Sequence, residues 1–84
     1  MESILLIVRS VTQAQLMERA LLKAGIRASI LRTPMELTGG SGCTYSVRIA
    51  PEALTAAIPA IDGTGLRPVK IYASDPLGYR EVST

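Results

Sequence analysis

The chain has 84 residues, enough for one domain and too few for two. Its apolar share is 48%, but Phe and Trp are absent, so Ile, Leu, Val and Ala must build the core. The absence of histidine and the single cysteine exclude Ser-His-Asp and Cys-His nucleophile pairs, His-based metal sites, CxxC motifs and an internal disulfide, while a net charge of +2 from scattered basic residues gives no nucleic-acid tail.

Ile4 to Val8 is an apolar, β-branched-rich run of strand length, and its lack of alternation marks a central strand. Ser10 with Gln13, or Thr12 with Gln15, offers a helix-capping box. Ala14, Met17, Leu21 and Ala24 then recur at helical spacing, and Gly25 stands where a left-handed C-terminal cap belongs. Arg27 to Leu31 reads as a second strand. Thr33-Pro34-Met35-Glu36 has the capping residue, proline and glutamate of a short helical turn, which the glycines from Gly39 to Gly42 stop.

Thr44 to Ile49 alternates, with Tyr45, Val47 and Ile49 on one face of a third strand. Pro51 opens a second helix with Ala53, Leu54, Ala57, Ile58 and Ile61 as its apolar stripe. Pro59 removes a hydrogen bond inside it, so an end or kink is expected near Ala57 or Ile58. Asp62 to Pro68 is a loop, Val69 to Ala73 a fourth strand, and residues 74–84 a loose polar tail.

The order β-α-β-β-α-β predicts an α+β, ferredoxin-like sandwich over residues 1–73: a four-stranded antiparallel sheet of order 4-1-3-2 with two helices on one face. That arrangement collects three connections at one sheet end, Arg9 to Thr12, Arg32 to Cys43 and Asp62 to Arg67. The other face is open. Since Ile4 to Val8 are all apolar, either Leu5 and Ile7 or Ile4, Leu6 and Val8 should meet water there, and a homo-oligomer burying that face is expected. The apolar run is too short for a secretory signal core and far below the ~20 residues of a membrane span, so the expected location is cytoplasmic, without membrane contact. Strand one carries no aromatic residue for stacking on bases, and no nucleic-acid partner is expected. No cofactor and no metal are expected either.

The one reactive side chain is the thiol of Cys43, at the end of Gly39-Gly40-Ser41-Gly42. Gly40, Ser41 and Gly42 can turn backbone N–H groups toward an anion, and Arg9, Arg32 and Arg67 belong to connections at the same sheet end. Thr33, Pro34 and Glu36 shape the loop's entry. Such surroundings lower a thiol's pKa below its free value of about 8.5. A lone cysteine also behaves as a small buried hydrophobe, and Cys43 shares strand parity with Tyr45 and Val47. Spacing alone leaves both readings open.

Around this loop the sequence resembles a family. Ala24-Gly25-Ile26, Thr33-Pro34-Met35-Glu36-Leu37, Gly42-Cys43 and Tyr45-Ser46-Val47-Arg48-Ile49, within a span from Ile4 to Tyr72, resemble the DUF3343 family of selenium/sulfur carrier-like proteins. Family members often place glycine after the cysteine, whereas here Gly42 precedes it and Thr44 follows. The resemblance implies a carrier rather than an enzyme. Cys43 would hold a persulfide or perselenide and pass it to a partner, with a cysteine desulfurase or a selenium-handling protein as the other party. The alternative is a non-enzymatic regulatory or assembly module that uses the sheet face or the Gly-Gly-Ser-Gly loop to bind protein or a small anion. An accessible, acidified thiol separates the two.

Overall fold

The computed structural model describes residues 2–34, 37 and 44–82. The chain forms β1 (Ser3–Val8), α1 (Val11–Lys23), β2 (Ser29–Arg32), β3 (Tyr45–Ile49), a 3-10 turn (Pro51–Ala53) leading into α2 (Leu54–Asp62), β4 (Lys70–Asp75) and β5 (Gly78–Glu81). The strands make one sheet in the order β2-β3-β1-β4-β5, with every neighbouring pair antiparallel. It is thus an α+β fold with an open antiparallel sheet.

β1 is central because its five apolar residues tolerate burial on both faces. Ile4, Leu6 and Val8 share a core with Val47, Ile49, Ile71 and Ala73 of the neighbouring strands and with Ala14, Met17, Leu21, Ala57 and Ile61 of the helices. Both helices therefore cover the same sheet face.

Local chemistry fixes the helix ends. Of the two possible boxes at α1, Ser10 with Gln13 is the one formed. The Gln13 N–H donates to Ser10 Oγ (3.2 Å), and Gln13 Oε1 accepts from the Arg9 N–H (3.0 Å). At the other end Gly25 takes φ +80°, which lets the N–H groups of Gly25 and Ile26 reach the carbonyls of Leu22 (3.0 Å) and Leu21 (2.9 Å). This is a Schellman cap, and the apolar residue that follows it, Ile26, joins the core.

Four expectations are corrected. The sheet has five strands, not four. β4 runs on to Asp75, and residues 78–81, expected within the loose tail 74–84, form β5 along its edge. The reason is turn chemistry. In Asp75-Pro76-Leu77-Gly78 aspartate, proline and glycine occupy the positions a tight turn favours. Asp75 Oδ1 accepts from the Leu77 N–H (2.9 Å), and Gly78 takes φ +130°.

The open face is not bare. Leu5 and Ile7 do point away from the helices, yet they are only 2% and 7% exposed in the single chain. Leu5 lies between Arg48 and Tyr72 in cross-strand register, and Ile7 between Ser46 and Lys70. Arg48, Tyr72 and Lys70 are long enough for their stems to cover apolar surface while their polar ends stay wet. The exposed apolar surface that argued for self-association through these two residues is already closed. Val69, expected to begin strand four, precedes β4 and is half exposed.

Pro59 does not end α2, which continues to Asp62 and is held by the Gly63 N–H donating to the Pro59 carbonyl (3.2 Å). Proline removes the bond to the Thr55 carbonyl, but Thr55 and Pro59 both lie on the solvent side, where water can satisfy that group. Burial of Ala57 and Ile61 on the opposite side holds the helix together. Pro59→Ala restores the hydrogen bond and should stabilise the fold by about 1–2 kcal/mol, below the ~3 kcal/mol cost of an interior proline because the site has already adapted. A thermal melt followed by circular dichroism checks it. A lowered midpoint would contradict this account of the helix.

Candidate functional site

Strand register brings the expected connections to one sheet end. Val8, the last residue of β1, pairs with Tyr45, the first of β3, and Arg32, the last of β2, pairs with the same Tyr45. The Val69 N–H donates to the Ile7 carbonyl (2.7 Å), so the approach to β4 lies there too. Arg9, Arg32, Thr44 and the segment after Arg67 accordingly flank this end.

The segment from 33 to 44 is anchored at both of its described ends. The Thr33 N–H donates to the Thr44 carbonyl (3.1 Å), extending the β2–β3 ladder by one step. The hydroxyls of Thr33 and Ser46 share a hydrogen bond (2.8 Å), in which either can donate. Ser46 is completely buried on the open face, so this bond satisfies a hydroxyl that has no water to turn to. The Leu37 N–H donates to the Pro34 carbonyl (2.9 Å) and Leu37 is itself helical, in keeping with the short helical turn expected from Thr33 and Pro34. Glu36, Gly40, Ser41, Gly42 and Cys43 lie outside the described residues.

The Thr33–Ser46 pair gives a measurable prediction. Thr33→Val leaves the Ser46 hydroxyl buried and unsatisfied, which should cost about 1–3 kcal/mol. Adding Ser46→Ala removes the stranded group and should recover most of that loss. A urea-denaturation double-mutant cycle reads the coupling, and strictly additive effects would show that the bond contributes nothing.

Beside this anchor the open face carries a cleft of about 220 Å3, lined by Ile7, Thr33, Leu37, Thr44, Val69, Lys70 and Tyr72. Its polar wall is made of hydroxyl groups and one ammonium group. Thr44 Oγ1 is buried and has no hydrogen-bond partner among the described residues. None of the three arginines expected around the thiol lines this cleft. Arg9 and Arg32 are exposed at the sheet end, with the Arg9 backbone committed to the α1 cap. Arg67 is exposed as well and lines a different cleft, of about 490 Å3, between α2, β4 and β5. The cation that does border Thr44's cleft is Lys70, which the sequence reading passed over. Its signal was parity: Ile71 and Ala73 face the helices, so Lys70 and Tyr72 must face the other way.

In chemical terms, this sheet end presents a residue bonded directly to Cys43, namely Thr44, beside a small, partly apolar cleft with hydroxyl and ammonium groups on its wall. Such a lining suits a small anion or a soft, polarisable group. No curated protein and no solved structure matches the chain. A family model does: residues 3–73 match the family described as "Putative Se/S carrier protein-like". That span covers the sheet end, the segment 33–44 and all strands through most of β4, and the chain belongs to this family.

Proposed function

We propose that the chain is a sulfur or selenium carrier that holds a persulfide or perselenide on Cys43 and hands it to a partner protein. The observation that carries the reading is the family match over residues 3–73, within which Cys43 is the chain's sole cysteine. The absence of histidine agrees with a role that needs no acid–base pair.

The step is a thiol–persulfide exchange. The Cys43 thiolate attacks the outer sulfur of a donor persulfide. A new S–S bond forms at Cys43 Sγ, the donor's S–S bond breaks, and the donor cysteine leaves as thiolate while the transferred sulfur keeps its proton. No external oxidant or reductant is consumed. Thiolate is the reacting form, so cations near the sheet end favour it by lowering the thiol's pKa below about 8.5. Arg9 and Arg32 at that end, and Lys70 in the adjoining cleft, are the groups proposed for this role.

The test is persulfide trapping. The chain is incubated with a cysteine desulfurase and free cysteine, then alkylated and mapped by peptide mass spectrometry. The expected result is an alkylated persulfide on Cys43 that Cys43→Ser lacks. A persulfide confined to the desulfurase would contradict the proposal.

A further inference from the structure

A carrier must be recognised by the protein that loads it, and the helical face holds a groove suited to that contact. The groove runs between α1 and the turn after α2. It is about 250 Å3 in volume and lined by Leu16, Arg19, Ala20, Lys23, Thr64 and Leu66. Its floor is apolar. Leu16 is 46% exposed although the neighbouring helix positions Ala14 and Met17 are fully buried, so it contributes little to the core. Leu66 packs partly on the core and presents its remainder to the groove. Thr64 is held in place at the rim, its hydroxyl donating to the Ile61 carbonyl (2.7 Å).

The charged residues on the rim are both cations. Arg19 and Lys23 stand four residues apart on one helix face, a spacing at which like charges repel and weaken the helix. Lys23 is explained by its place in the last turn of α1, where the helix dipole favours a cation. Arg19, a turn earlier, has no such reason, and no ion pair holds it among the described residues. An apolar floor bordered by two cations and no carboxylate is complementary to an acidic segment that brings an apolar side chain. One side of the groove leads to the site: the turn from Thr64 runs to Val69 at the sheet end that carries Thr44. α1, which starts at that end, carries Lys23 away from it in its last turn, so a bound segment would lie along the helical face and leave the sheet end clear.

Resting on the carrier reading, we infer that this groove docks an acidic, apolar-anchored segment of the protein that donates sulfur to Cys43. Charged groups at the border of an interface act mainly on the association rate and its salt dependence.

The experiment compares two donors. Sulfur arrival at Cys43 is timed with a desulfurase persulfide and with glutathione persulfide, a small donor that needs no docking. Three proteins are used: the wild type, Arg19→Gln/Lys23→Gln, and Arg27→Gln/Arg48→Gln, which removes the same charge away from the groove. The expected result is a roughly tenfold slower transfer from the desulfurase, with a flatter salt dependence, in the groove variant alone. Transfer from the small donor stays the same in all three. Equal slowing in both double variants, no slowing in the groove variant, or slower transfer from the small donor overturns the inference. So does a wild type that only the small donor loads. If neither donor loads the wild type, the carrier reading fails and the docking assignment with it. If light scattering gives a concentration-dependent mass that falls to the monomer in the groove variant, a second copy of the chain fills the groove, and a donor segment does not.

Discussion

Leu6→Ala should leave the protein largely unfolded at physiological temperature. Leu6 is completely buried in the middle of β1, opposite Val47 on one side and Ile71 on the other, and it faces the helices. Removing its side chain loses the transfer free energy of the buried atoms and leaves a cavity that a central strand cannot collapse to fill. Buried leucine truncations of this kind cost about 2–5 kcal/mol. The chain has only 84 residues and, with one cysteine, no internal disulfide. Small domains hold a few kcal/mol of net stability, so that loss takes much of the total. At roughly 4–8 °C per kcal/mol for this size, the melting midpoint should fall by more than about 10 °C. A circular dichroism melt decides it. A shift of only a degree or two would mean that Leu6 is not the centre of the core.

Ending the chain after Asp75 should have the second large effect. The family match stops at Ala73, within β4, and contains nothing of β5. Yet β5 covers the outer edge of β4 along the register from Tyr72↔Glu81 to Asp75↔Gly78, and the Val82 N–H donates to the Ile71 carbonyl (2.8 Å). Val82 also packs against the core. Truncation leaves a row of β4 backbone groups unpaired beside Ile71 and Ala73, and an exposed sheet edge is a template for pairing with another chain. The expected loss is about 2–3 kcal/mol from ladder bonds and Val82 burial, with self-association at micromolar concentration. Light scattering and a thermal melt read the two effects. A monomer with an unchanged midpoint would show that β5 is incidental to the fold.

β5 is also the element that was least legible in the sequence. Gly78 to Glu81 is short, mostly polar and without apolar alternation, and what holds it is the backbone ladder to β4 and the Asp75-Pro76-Leu77-Gly78 turn. Composition favoured a tail, whereas the turn residues spelled a hairpin. Of the end or kink expected near Ala57 or Ile58 because of Pro59, the end is not found. Proline is a strong local breaker, but burial of Ala57 and Ile61 outweighs it where the freed carbonyl faces solvent. Local signals read correctly: a capping box at the start of α1, offered by Ser10 or Thr12 and formed by Ser10, Gly25 as the left-handed C-terminal residue, Pro51 at the start of its helical turn, and the apolar run of β1 as a centre strand.

For the site, chain order alone was enough to bring the connections together at one sheet end, because antiparallel pairing of β1 with β3 and of β2 with β3 leaves Val8, Arg32 and Tyr45 side by side. Which cation borders which cleft could not be read the same way. Lys70 is brought beside Ile7 by β1–β4 register, and Arg67 is carried to a separate cleft by the turn after α2. The near-complete burial of Leu5 and Ile7 likewise depends on side chains from neighbouring strands, which no single segment reveals.

The most direct test of the carrier account is the intact mass of the whole chain after incubation with a cysteine desulfurase and free cysteine, measured before and after addition of a thiol reductant. The account predicts a gain of one sulfur atom that the reductant removes and that Cys43→Ser never acquires. A wild type whose mass does not change, or a gain that persists in Cys43→Ser, would contradict it.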